Sequence, residues 1–201
     1  MIKADHGVTL KVNGSRAAVF SGDPPIHRYL LRIVWRKRGG NLAVVMLNPS
    51  TADHLKNDPT ITRVCKRADD WGFASVSILN AFAFRATDPD DMKAAVDPVG
   101  PLNDAMIAVQ TDPMRSSATL IAWGNDGRHQ DRAAAVMRII ESQTTRIFCL
   151  GWNDCKEPKH PLYVAYGQQA IPYPYTSPEH RVKLCVPYIE AAERISADID
   201  A

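Results

Sequence analysis

The chain has 201 residues, 45% of them hydrophobic and 23% charged, with 24 Lys and Arg against 22 Asp and Glu. That balance belongs to a globular domain with a substantial core, and it excludes a disordered chain or a polybasic, histone-like partner mode. A net charge of +2 leaves room for a local basic cleft. No apolar run reaches the roughly 18 to 20 residues of a membrane span, and the first residues carry no signal-peptide h-region. The four cysteines, Cys65, Cys149, Cys155 and Cys185, are scattered without a C-x-x-C. They read as packing residues of a reduced, cytoplasmic protein, with no zinc site or disulfide framework.

In chain order, two β-rich runs come first, residues 17–20 and 27–35, flanking Gly22-Asp23-Pro24-Pro25. They predict an antiparallel hairpin. After a basic turn at Arg36, Lys37 and Arg38, residues 42–47 form a continuous apolar run, expected to be a strand buried on both faces. Asp58-Pro59-Thr60 opens a helix, with Asp58 as N-cap, Pro59 in the first turn and apolar residues at helical spacing up to Trp71-Gly72. A second buried strand is read at residues 76–82, then a polar loop with a short helix, and a helix over 102–111. A third strand follows at 119–124, a helix at 132–141 and a fourth strand at 146–151. The tail, Ser177 to Ile199, reads as a terminal helix.

This alternation predicts a single α/β domain over residues 1–201, a three-layer α/β/α arrangement around a mostly parallel four-stranded sheet. An N-terminal β-hairpin and a C-terminal helix complete it. In open sheets of this type ligands bind beyond the carboxyl ends of the strands. Polar residues gather there in the sequence. The first strand end offers Asn48, Ser50, Thr51, Asp53 and Asp58, and the second offers Asn80, Phe82 and Arg85. The third offers Trp123 and Asn125, and the late loop offers Lys156, Lys159, His160 and Tyr163. Amides read the edge of a base, aromatic rings stack on its face, and Arg and Lys neutralise phosphate. Each residue also has a plainer role open to it. Asn48-Pro49 makes a turn, Asp58 a helix cap, Arg85 a partner for Asp88, Trp123 core packing, and His160 a solvated loop residue. There is no Walker loop, G-x-G-x-x-G, G-x-S-x-G or H-E-x-x-H.

The strings Met46-Leu47-Asn48-Pro49-Ser50-Thr51-Ala52-Asp53, Asn57-Asp58-Pro59-Thr60, Asn80-Ala81-Phe82-Ala83-Phe84-Arg85-Ala86-Thr87 and His160-Pro161-Leu162-Tyr163 carry a resemblance. Over about residues 17–175 the chain resembles a bacterial and phage family of unknown function, numbered 1643. More distantly, the order of features is similar to the uracil-DNA glycosylase superfamily. There an Asn-Pro loop follows the first core strand, a strand ending in Asn precedes an Arg, another strand ends in Gly, and a late His-Pro follows. Asn48-Pro49, Asn80 with Arg85, Gly124 and His160-Pro161 would take those places. Ser50 stands where that superfamily has Gly, and Leu162 where it has Ser.

That second resemblance implies hydrolysis of an N-glycosidic bond without a metal or other cofactor. Asn48, Asp53 and His160 would be catalytic. Ser50, Thr51, Asp58, Asn80, Phe82, Arg85, Trp123, Asn125 and Tyr163 would contact substrate, and Lys156 and Lys159 phosphate. The partner would be a nucleic acid or a nucleotide, and no membrane. Two other functions remain open: a non-catalytic nucleic-acid or nucleotide recognition module, and an unrelated small-molecule enzyme using the same strand ends. A basic rim of Arg36, Lys37, Arg38, Lys156 and Lys159 beside the pocket would favour long nucleic acid.

Overall fold

The computed structural model describes residues 2–4, 7–22, 24–50, 53–174 and 186–200. Its strands are β1 (Ile2–Ala4), β2 (Val8–Asn13), β3 (Arg16–Ser21), β4 (His27–Val34), β5 (Asn41–Met46), β6 (Ser75–Asn80), β7 (Ala118–Ile121), β8 (Ile147–Cys149) and β9 (Ile171–Pro172). They form one mixed sheet in the order β1-β2-β3-β4-β6-β5-β7-β8-β9. The expected four core strands lie at its centre, β6-β5-β7-β8, all parallel. The predicted hairpin is β3 with β4, antiparallel, and β4 joins the core against β6. Strands β1, β2 and β9 were not expected. β1 has three residues, and β9 has only two and contains a proline, while the six-residue β2, Val8-Thr9-Leu10-Lys11-Val12-Asn13, carries an alternating pattern that the sequence reading passed over.

All six residues of β5 are buried, because both faces of the sheet are covered. Ala43, Val45 and Leu47 enter one core, with residues of α3 (Asn103–Thr111), α4 (Arg132–Gln143) and α5 (Val186–Asp200). Leu42, Val44 and Met46 enter the other, with Ile61, Val64 and Ala68 of α1 (Pro59–Asp70). A short α2 (Pro89–Ala94) adds Met92 to the first core. Helix α1 begins as expected, with Asp58 accepting from the backbone N–H of Ile61 at 2.8 Å and Pro59 following. The stretch 177–185 of the predicted tail helix lies outside the described residues. The described part docks through a polar chain, in which Ser77 Oγ donates to Gln110 Oε1 and Gln110 Nε2 donates to Ser196 Oγ. Asp200 accepts from Arg115 and pairs with Arg32. Among the described residues, no helix is long and apolar enough to cross a membrane.

One irregularity shapes the functional end. In the β3–β4 register Val19 faces Leu30 but Phe20 faces Arg28, so Tyr29 is an extra residue on β4. Strict alternation would place Tyr29 on the same face as Leu31. The bulge instead sends Tyr29 and Leu30 into the same core and turns Arg28 toward the face of Phe20 and α1.

A candidate active-site cleft at the strand ends

The parallel strands end in a cleft of about 710 Å³. Its lining brings together Asn48 and Ser50 after β5, Asp58 at the start of α1, Trp123 and Asn125 after β7, and Lys159, His160 and Tyr163 from the late loop. Eight of the sequence-expected residues therefore share one cavity, at the position that the parallel sheet dictates.

The backbone explains why these loops meet. Beyond the strands, Ala81 and Phe82 donate to the carbonyls of Met46 and Leu47, and Ala86 donates to Pro49. Asn48 continues this seam, its Nδ2 donating to the Ala86 carbonyl at 2.8 Å. That leaves its Oδ1 as the polar atom for the cleft. On the other side Gly124, with φ +76°, donates to the Pro158 carbonyl and holds the late loop against the end of β7. Trp123 is buried, and its Nε1 donates to Glu157 at 2.7 Å.

His160 and the Asp58 carboxylate line the same cleft. The His160 Nδ1 accepts from the Leu162 backbone N–H at 3.4 Å, which places the ring proton of the neutral imidazole on Nε2. Burial lowers the pKa of His160 below its ordinary 6.5, and the Asp58 carboxylate opposes that shift only in part. The imidazole is thus neutral at pH 7 and offers an N–H donor. The Tyr163 ring, 84% exposed, tilts against His160 with centroids 6.0 Å apart and stands at the mouth of the cleft.

Five expected residues do not line this cavity. Asp53 closes a local turn, its Oδ1 accepting from the N–H groups of Leu55 and Lys56 at 2.7 and 3.1 Å. Burial raises its pKa, but these bonds and the nearby cations outweigh burial and hold it below the usual carboxylate value. Phe82 is fully buried core. Arg85 lies over the Phe20 ring at 5.3 Å and donates to Pro25, away from Asp88, which caps α2. Lys156 sits on an exposed turn with φ +66°. Asn80 is fully buried, in register with the cleft-lining Met46, and neither atom of its carboxamide has a hydrogen-bond partner among the described residues. Thr51 lies outside the described residues.

The expected basic rim is also displaced. Arg36 binds Asp69 and the Phe73 carbonyl, and its backbone bonds to Ala74, just before β6 starts. Arg36, Lys37 and Arg38 therefore belong to the opposite end of the parallel strands. Around the cleft itself Arg28 and Lys159 are balanced by Asp58 and Asp126.

Arg28 is a charged lining residue absent from the sequence reading. It is 1% exposed, and burial brings its pKa down to about 10, against the pull of Asp58. The signal available was a charged residue inside an otherwise apolar strand. Without knowledge of the bulge, nothing indicated which face it would take.

A family profile covers residues 28–162, from this arginine to the loop that carries His160. The chain belongs to the DUF1643 family. DUF1643 is described as a protein family of unknown function. The profile thus spans the parallel core of this DUF1643 member and every cleft-lining residue but Tyr163. No curated protein and no solved structure matches the chain.

Proposed function

We propose that the cleft binds a nucleobase attached to a sugar phosphate and hydrolyses its N-glycosidic bond, as the likeness to the uracil-DNA glycosylase superfamily implies. The observation that carries this reading is that Asn48 and Asp58, from the β5–α1 connection, and His160, from the distant late loop, line one cavity beyond the parallel strands. Departure of a base leaves positive charge on the sugar and negative charge on the base. The neutral His160 donates from Nε2 to the departing base, and the Asp58 carboxylate faces the oxocarbenium-like sugar. Asn48 Oδ1 orients the attacking water. The water oxygen bonds to the anomeric carbon, the C–N electron pair leaves with the base, and the water proton passes to solvent.

Asp58 replaces Asp53 in this scheme, because Asp53 is committed to its turn. Base-edge recognition falls to the cleft-lining amides of Asn48 and Asn125, since Asn80 is fully buried outside the cavity lining. Trp123 forms an apolar wall and Tyr163 a stacking surface at the mouth. Lys159 is the rim cation, while Lys156, Phe82 and Arg85 have no direct part. The balanced charge favours one nucleotide, free or flipped from a strand, over a long phosphate track.

A non-catalytic recognition module is the second reading. It is favoured by one observation: Asp58 Oδ1 already caps α1. Titration of the ¹⁵N-labelled protein with nucleobases and nucleosides tests the binding claim common to both. The side-chain resonances of Asn125 and Trp123, which both line the cleft, are expected to shift together. Absence of any shift across the common and modified bases would overturn it.

A further inference from the structure

We infer that an apolar groove at the end of the parallel strands opposite the cleft docks a partner protein, through an acidic segment that carries one large apolar side chain. The inference is independent of the reading of the cleft. Topology explains why the groove exists. The crossover from β5 to β6 places α1 on one face of the sheet. The crossovers from β6 to β7 and from β7 to β8 run the other way across the sheet, so the same right-handedness puts α3 and α4 on the opposite face. Among the described residues, α1 is thus the one α-helix on its face. Leu120 of β7 and Phe148 of β8 lie in register on that face. With Trp71, Phe73 and Gln169 they line a groove of about 200 Å³. Ala118, the first residue of β7, also lines it, which places it where the strands begin.

The lining sets the chemistry of what enters. Apart from the Trp71 indole N–H, Gln169 supplies the only polar side chain. The volume is below the roughly 300–1,000 Å³ of a small-molecule site. One large apolar side chain suits such a space, whereas a nucleobase would bury hydrogen-bonding groups that the lining does not match.

The rim sets the charge. A β-carbon on Gly40 would stand 3.5 Å from the Phe73 ring, and Arg36 donates to the Phe73 carbonyl. The basic turn of Arg36, Lys37 and Arg38 is thereby held at the edge of the groove. On the other side Arg146 stands two residues before Phe148, its carbonyl accepting from the backbone N–H of Thr119. Asp69 is committed to Trp35 and Arg36, and Asp70 to Lys66. Lys37, Arg38 and Arg146 are exposed, and their side chains form no ion pair among the described residues. These cations complement carboxylates on either side of an apolar anchor, the anchor supplying affinity and the charges orientation. A second copy seated groove to groove would instead bring like charges together.

Titration of the whole ¹⁵N-labelled chain with three synthetic peptides tests this. The first has a phenylalanine with three aspartates on each side, the second replaces the aspartates by lysines, and the third replaces the phenylalanine by alanine. The first is expected to move the Trp71 indole and Gln169 amide resonances, and to bind about tenfold or more tightly than either of the others. Its advantage over the lysine peptide should shrink as salt rises. Lys37→Glu combined with Arg38→Glu changes two exposed side chains, so the variant should melt as the wild type does and lose the preference for the acidic peptide. Lys159→Ala, at the cleft, should leave that preference unchanged.

Equal binding of the acidic peptide and either counterpart overturns the proposal, as does no movement of Trp71 with any of them. An oligothymidylate that moves these resonances more strongly than the acidic peptide overturns it in favour of a nucleic acid. Self-association in sedimentation that the double variant abolishes overturns it in favour of a second copy of the chain.

Discussion

Gly127 lies flat against the indole of Trp123, so that a β-carbon there would stand 2.7 Å from Nε1 and 2.9 Å from Cγ. The contact fixes one wall of the cleft, since the same Nε1 donates to Glu157. Gly127→Ala must push the ring away, and overpacking of this kind costs about 1–3 kcal/mol. Chemical denaturation followed by circular dichroism should show that loss. The Trp123 side-chain N–H resonance should move as its bond to Glu157 breaks.

Asp58 carries two roles that substitution can separate. Asparagine caps a helix about as well as aspartate, whereas alanine forfeits the bond to Ile61. Asp58→Ala is expected to lose about 1 kcal/mol of stability, and Asp58→Asn no more than a few tenths. Asp58→Asn is therefore the variant in which a functional loss reports charge and not folding. Equal destabilisation by both would deny the cap.

The depressed pKa of His160 makes stability depend on pH. The folded protein holds its proton less tightly than the unfolded chain, whose imidazole titrates near 6.5. The stability contributed by the neutral buried ring is complete above that value, and it is lost as pH falls below 6.5 through the folded pKa. Urea midpoints measured from pH 7.5 to 5 should fall more steeply for the wild type than for His160→Gln. Parallel curves would contradict the shift.

Arg67 holds the segment that follows His160. Its guanidinium, 1% exposed, donates to the carbonyls of Val164, Ala165, Tyr166 and Gln168, linking α1 to that segment. Hydrogen bonds from a charged donor contribute about 1.5–3 kcal/mol each, and lysine cannot span this fan of acceptors. Arg67→Lys is expected to destabilise the protein by about 3 kcal/mol. Hydrogen exchange should show residues 160–168 opening first.

The core of the fold was legible because its signals are strong and local. The apolar run of residues 42–47 announces a strand covered on both faces, and Asp58-Pro59 announces the start of α1. Once the strands are parallel, the site's location follows from topology. What was not legible depends on single-residue register. Arg28 reaches the cleft through a bulge, Asp53 is drawn into its own turn, and Arg85 swings back to Phe20 and Pro25. Composition cannot tell a polar residue facing a cavity from one facing its own backbone. The same ambiguity placed Arg36–Arg38 on the rim, when the chain direction of β5 carries them to the far end.

The most direct test of glycosidic chemistry is release of free base, followed by chromatography, from a panel of nucleosides, nucleotides and oligonucleotides carrying common and modified bases. The wild type should release base from at least one class at neutral pH. Asp58→Asn and His160→Gln should each slow that release about a hundredfold or more while remaining folded. No release from any substrate, or equal release by the variants, would contradict the account.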